Sequence, residues 1–300
     1  MSNEYLKDNE RELKVLEYHL ENNVWNRLQI VSNRLTTEKT PQLKKEYRLL
    51  HKHLILKNIV DYYKIIGEID IREILSKYLK SEKLSEEDIE LLKEYFWFSN
   101  YEDYILDLYY GKKELTTLDV KLAYYSTTFN EEDKKILNHI NQQYKIFSNT
   151  NSDRIEYLRY VLSLNNIVIN GKRVEELEKE LENPLNLKQK LQIKQELLKR
   201  RKILENDKYS YRKYLRHSGE IEIRQILEKY NNKEQLSKED IEIIKEYFKI
   251  NNYLDNAIFE GSMEDFEDSY LGHCKNIYSA RFSEEELIKL KKIGKLKKKS

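Results

Sequence analysis

One stretch of thirty residues occurs twice in this chain. Gly67–Phe96 reads GEIDIREILSKYLKSEKLSEEDIELLKEYF, and Gly219–Phe248 reads GEIEIRQILEKYNNKEQLSKEDIEIIKEYF, with 20 of the 30 positions identical. Whatever structure one copy adopts must also suit the other. Ile71, Ile74, Leu75 and Tyr78 fall at i, i+3, i+4 and i+7, which is one face of a helix. Ser85 and Asp88, like Ser237 and Asp240, place a hydroxyl at N-cap and a carboxylate at N3 before a second apolar run. The links at 80–84 and 232–236 are short, so each copy is expected to form an antiparallel helix hairpin. A calcium loop is excluded. Aligned on Leu236, such a loop would have the cation Lys229 at its first ligand position and Glu234 where a Gly is needed.

The repetition extends beyond the hairpin. Leu16–Leu20 ahead of Asn22-Asn23 is matched by Leu158–Leu162 ahead of Asn165-Asn166, and Tyr125-Ser-Thr-Thr-Phe129 by Tyr278-Ser-Ala-Arg-Phe282. Such spacing is too long for a solenoid repeat. The reading is an all-α chain of two tandem, duplicated helical domains, 1–150 and 151–300, joined by the polar run Ser148–Ser152. Helices are expected over 5–21, 24–35, from Pro41 through Ile66, and over 131–147. The aromatic stretch 95–110 is expected to close the first core. Val168-Ile-Asn-Gly-Lys172 carries an Asn-Gly turn signal, so a small β-hairpin is expected near 167–173. Residues 255–268 hold six acids and no base, an acidic loop. Residues 289–300 hold seven Lys, a tail expected to be disordered and dispensable for folding.

Composition bounds the function. Charged residues make up 36 % and cancel to +1, so bulk charge names no partner, and 24 Tyr with the aliphatics supply a core. Two Pro and seven Gly leave few turn signals, which argues against a β-sandwich. Cys274 is the single cysteine, so no disulfide forms within the chain. With no secretory or membrane-spanning apolar run, a cytoplasmic, reducing location is expected. The weight on Lys, Asn, Ile and Tyr is that of an AT-rich genome, such as a low-GC bacterium, its phage or a large DNA virus.

Chemistry-bearing patterns are sparse. No Gly-rich phosphate loop, nucleophile elbow or paired-Cys metal site occurs, and the adjacent His273-Cys274 lacks two further ligands. No cofactor and no metal are expected. Arg-x4-His occurs twice, as Arg48…His53 and Arg212…His217. This spacing resembles the motif of HEPN-type ribonucleases, all-helical proteins that pair two such motifs across a dimer. The resemblance covers six residues each time, and it implies Arg and His near one helix face acting on RNA. The residue after Arg is Leu49 or Lys213, where the family often has Asn.

Charge clustering is the stronger signal. Lys188–His217 carries eleven Lys or Arg against three acids, with Tyr209, Tyr211 and Tyr214 interleaved. On a helix Lys190, Lys194 and Arg201 share one row. The apolar rows Leu187/Leu191/Leu198 and Ile193/Leu197/Leu204 flank it. The candidate binding residues are Lys190, Lys194, Lys199, Arg200, Arg201, Lys202, Lys208, Arg212, Lys213 and Arg216. Three readings follow. The first is a non-enzymatic scaffold, adaptor or inhibitor binding a protein partner, in the manner of a phage or viral effector aimed at a host protein. The second is binding of RNA or DNA through the basic segment. The third is the HEPN-like ribonuclease. The oligomeric state is left open.

Overall fold

The computed structural model describes residues 3–101, 115–206, 208–256 and 270–296. The chain divides into two compact units, Met1–Asn149 and Thr150–Ser300. Among the described residues all regular structure is helical. The first unit contains α1 (Asn3–Glu21), α2 (Val24–Thr37), α3 (Pro41–His53), α4 (Leu56–Leu79), α5 (Glu86–Asn100), α6 (Thr117–Tyr124) and α7 (Glu131–Tyr144). The second contains α8 (Asn151–Leu164), α9 (Asn166–Leu181), α10 (Leu187–Asn206), α11 (Lys208–Asn231), α12 (Lys238–Asn256), α13 (Tyr270–Ile277) and α14 (Glu284–Gly294).

Helix starts follow local chemistry. Ser85, Thr116, Thr150 and Ser283 each accept from the N3 amide while the N3 acid accepts from the cap, four full capping boxes. Ser237 and Asp240 exchange the same two bonds. Pro41 stands at the first turn of α3 behind the cap Thr40.

The expected helix from Pro41 through Ile66 is two helices. α3 ends at His53, and Ile55 takes an extended conformation (φ −120°, ψ 152°) before α4 begins. α4 then runs unbroken through Gly67 and the first half of the repeat. The expected β-hairpin near 167–173 is absent, because those residues lie inside α9. Asn170 is buried and accepts from the Arg200 guanidinium at 2.7 Å, a tertiary bond that holds a turn-prone pair in helix.

α4 and α11 are the central helices of their units. α4 packs chiefly on α1 and α6, and α11 chiefly on α8 and α13. Both crossings depend on glycine. A Cβ added to Gly67 would stand 1.9 Å from the Tyr124 carbonyl oxygen, and one added to Gly219 would stand 2.1 Å from that of Ile277. Each glycine thus admits the carbonyl end of an eight-residue helix. Gly171 is the opposite case: it sits in mid-α9 with nothing within 4 Å of an added Cβ. The same substitution is therefore expected to have opposite signs. Gly67→Ala should cost about 3 kcal/mol, lowering the unfolding midpoint by roughly 6–10 °C, because backbone has to move. Gly171→Ala should gain about 0.5–1 kcal/mol by helix propensity. Thermal denaturation of the two variants checks both, and equal shifts would refute the close-approach account.

Sequence-equivalent residues make matched interactions. Arg72 bonds Glu68, donates to Asn9 Oδ1 and lies 5.4 Å over the Phe129 ring. Arg224 bonds Glu220, donates to Asn151 Oδ1 and lies 5.1 Å over Phe282. Both asparagines donate back to the arginine's own carbonyl at 3.0 Å. Lys77 pairs with Asp88 as Lys229 does with Asp240. Ser81 and Lys233 both take left-handed backbone (φ 61° and 59°) in the turn that ends the central helix. Leu75 and Leu227 are fully enclosed.

The aromatic stretch joins the first core as far as it is described. Tyr95, Phe96, Trp97 and Phe98 are buried, Tyr95 edge-on to Phe129 and Phe98 stacked on Tyr125. Burial alone pushes the Tyr95 phenol up to about 12. The remainder, 102–110, and most of the acidic segment 255–268 lie outside the described residues.

The Lys-rich end requires a correction. Lys289, Lys291 and Lys292 belong to α14, whose Leu290 and Ile293 are 0 % exposed in a cluster with Ile223, Ile244 and Tyr247. A segment that buries two aliphatic side chains is part of the core, whatever its charge.

Candidate interaction surface on the second unit

The basic segment spans α10 and the start of α11, and the structure divides its cations into two sets. α9 is acidic where it faces α10. Arg201 pairs with Glu178, and Arg200 reaches Asn170 and Glu196. Arg173 of α9 binds Glu196 across the same seam and Glu176 and Glu180 within its own helix. The hydrogen bond and charge of Arg173 hold the Glu196 carboxyl below the ordinary range, outweighing a burial effect of opposite sign. These arginines clamp two helices together. Lys190, Lys194, Lys199 and Lys202 are exposed and form no ion pair among the described residues. Arg212, Lys213 and Arg216 are half-buried on α11. The side chain of Lys208 lies outside those described.

The apolar rows of α10 also separate. Leu197 is 6 % exposed and Ile193 is half-buried, facing α9. Leu187, Leu191 and Leu198 are 80, 55 and 66 % exposed. At about 100° per residue these three leucines occupy roughly 40° of the helix circumference. Lys190, Lys194 and Arg201 border them on one side and Lys202 on the other. A helix bridging two neighbours would have had both rows covered. Here only one is. The leucines are the residues that charge counting passed over, and their signal was present as a second apolar row on a helix that needs one.

The other candidates lead elsewhere. Arg48 and His53 are exposed at the end of α3, whereas His217 is 2 % exposed within α11. Five residues of α-helix turn through about 140°, so neither motif brings its Arg and His onto one face. The two motifs also belong to different units. Among the described residues no group of three or more His, Cys, Asp or Glu could hold a metal ion, and Cys274 is buried and free. Two surface depressions, of about 550 and 910 Å³, lie beside the links after α4 and α11. Their linings include Tyr78, Glu82 and Gln143 in one and Tyr230, Glu234 and Leu296 in the other, with no His, Cys or Asp in either. Among the described residues no helix is long and apolar enough to cross a membrane. Comparison with known proteins finds no match to this chain among family models, curated proteins or solved structures.

Proposed function

We propose that this chain is a non-enzymatic helical interaction protein that binds a protein partner through the outward face of α10. The supporting observation is a set of four exposed lysines that form no ion pair among the described residues, set beside three exposed leucines, on a helix whose Arg200 and Arg201 are already engaged with α9. Phosphate recognition needs the cations but has no use for leucines in water. A protein surface uses both. Buried, unpaired Cys274 fits a reducing compartment. We further propose that the units are copies of one domain, a reading supported by the matched Arg72 and Arg224 clusters and by the two glycine crossings.

Reversing Lys190, Lys194, Lys199 and Lys202 to Glu tests the interface. All four are exposed, so the midpoint should shift by little, within about 0.5 kcal/mol each. Proteins from a native extract retained by the wild type should be lost by this variant, with or without nuclease treatment. Retention of the same proteins by both chains overturns the assignment. Retention that nuclease abolishes, with affinity falling steeply as salt rises, selects the nucleic-acid reading instead.

A further inference from the structure

We infer that the occupant of the α10 face is an acidic amphipathic helix of another protein, an inference that rests on the reading above and names the partner's chemistry. The argument is from width, spacing and charge. Leu187, Leu191 and Leu198 are separated by four and then seven residues, which puts all three at seam positions of one heptad, with the seam position between Leu191 and Leu198 held by Lys194. A stripe of roughly 40° is the narrow seam of a helix pair, whereas a helix lying in a lipid surface presents a far broader apolar face.

The cations set the sign of the partner. Continuing the heptad puts Lys194 and Arg201 in the seam itself, with Lys190 and Lys202 flanking it. A second copy of α10 would bring the same cations against themselves, so self-pairing is opposed by like charge. A helix carrying Leu in its seam and Glu opposite Lys190, Lys194 and Lys202 covers the leucines and neutralises the lysines together. Arg201 is shared with Glu178, so it positions α9 against α10 as well as bordering the stripe.

The test uses the full chain and a labelled synthetic helix of about four heptads, with Leu at the seam positions that meet the three leucines and Glu opposite Lys190, Lys194 and Lys202. Fluorescence anisotropy should show binding that weakens at least tenfold in Leu191→Gln/Leu198→Gln, with an unchanged circular dichroism spectrum, and that weakens again as salt is raised. A peptide of the same composition in scrambled order should not bind. If the scrambled peptide binds equally, the leucine stripe is idle and this inference fails while the basic-face reading stands. If the helix does not bind, the inference fails, and comparing wild type with the four-lysine variant still decides that reading separately. Leucine-dependent binding to phosphatidylserine vesicles without binding to the helix would replace the partner by a lipid surface. A dimer in sedimentation that Leu191→Gln/Leu198→Gln dissolves would make the occupant a second copy.

Discussion

Ending the chain after Ile288 is expected to unfold the second unit. The deletion removes Leu290 and Ile293, neither of which has any exposed surface, and with them the last turns of α14. Losing one buried aliphatic side chain costs about 2–5 kcal/mol. Two together approach the whole stability of an ordinary domain, about 5–15 kcal/mol. Circular dichroism should record lost helix and an early or absent transition for this unit. A control ending after Leu296 removes four residues and keeps both side chains, so its midpoint should stay close to that of the full chain. If the shorter chain melts within a degree of the longer one, α14 is an ornament and the core assignment is wrong.

Replacing Glu220 by Ala is expected to cost about 3–5 kcal/mol, the range for breaking a buried ion pair from one side. Glu220 is 2 % exposed and accepts from Arg154 Nε at 3.0 Å and Arg224 Nε at 2.8 Å. Arg224 keeps Asn151 and Glu286, but Arg154 loses this buried carboxylate. Replacing Arg154 and Glu220 together by Leu should cost less than Glu220→Ala alone, because both members of this ion pair are then removed. The pH dependence has a definite sign. Burial pushes the Glu220 carboxyl up, but the hydrogen bonds and charges of Arg154 and Arg224 more than offset it and hold it below its ordinary 4.5. A depressed acid contributes its stability in full above the unfolded value and loses it as pH falls through the folded one. Acid should therefore weaken the wild type below about pH 4.5 more steeply than the double Leu variant. Parallel acid profiles would remove Glu220 from the account.

The sequence made the helices legible where local chemistry decides them. Period-3.6 apolar spacing, Ser or Thr caps with an acid at N3, and the scarcity of Gly and Pro led to an all-α chain with most helix starts in place. It misled where a distant partner outvotes a local signal. Asn170-Gly171 reads as a turn until Arg200, thirty residues on, takes the Asn170 side chain. The break at Leu54-Ile55 carries no Gly or Pro, so nothing in its own residues announces it. Gly67 and Gly219 head the two copies of the repeat and look like boundaries, yet each lies in mid-helix against a carbonyl that only the fold supplies. In the Lys-rich end, seven cations drew the reading, while Leu287, Leu290 and Ile293 at helical spacing behind the Ser283 cap already described α14. The basic segment was legible as a region but not residue by residue. Counting charge cannot tell arginines engaged with Asn170 and Glu178 of α9 from lysines that form no ion pair among the described residues.

Each unit is continuous in sequence, and that has a consequence for how the chain is made. The second halves of α4 and α11, with the helices that follow them, belong to stretches sharing 20 of 30 residues, so either could compete for the neighbours of the other. All the helices that receive α4 lie before Asn149, and they have been synthesised before α11 exists. At about 5–20 residues per second, the ribosome gives the first unit roughly 4–16 seconds to close around its own copy before α11 is complete. Order of synthesis separates in time two segments whose repeated halves are much alike. Refolding from denaturant removes that separation, and the two copies then meet the same choice at once.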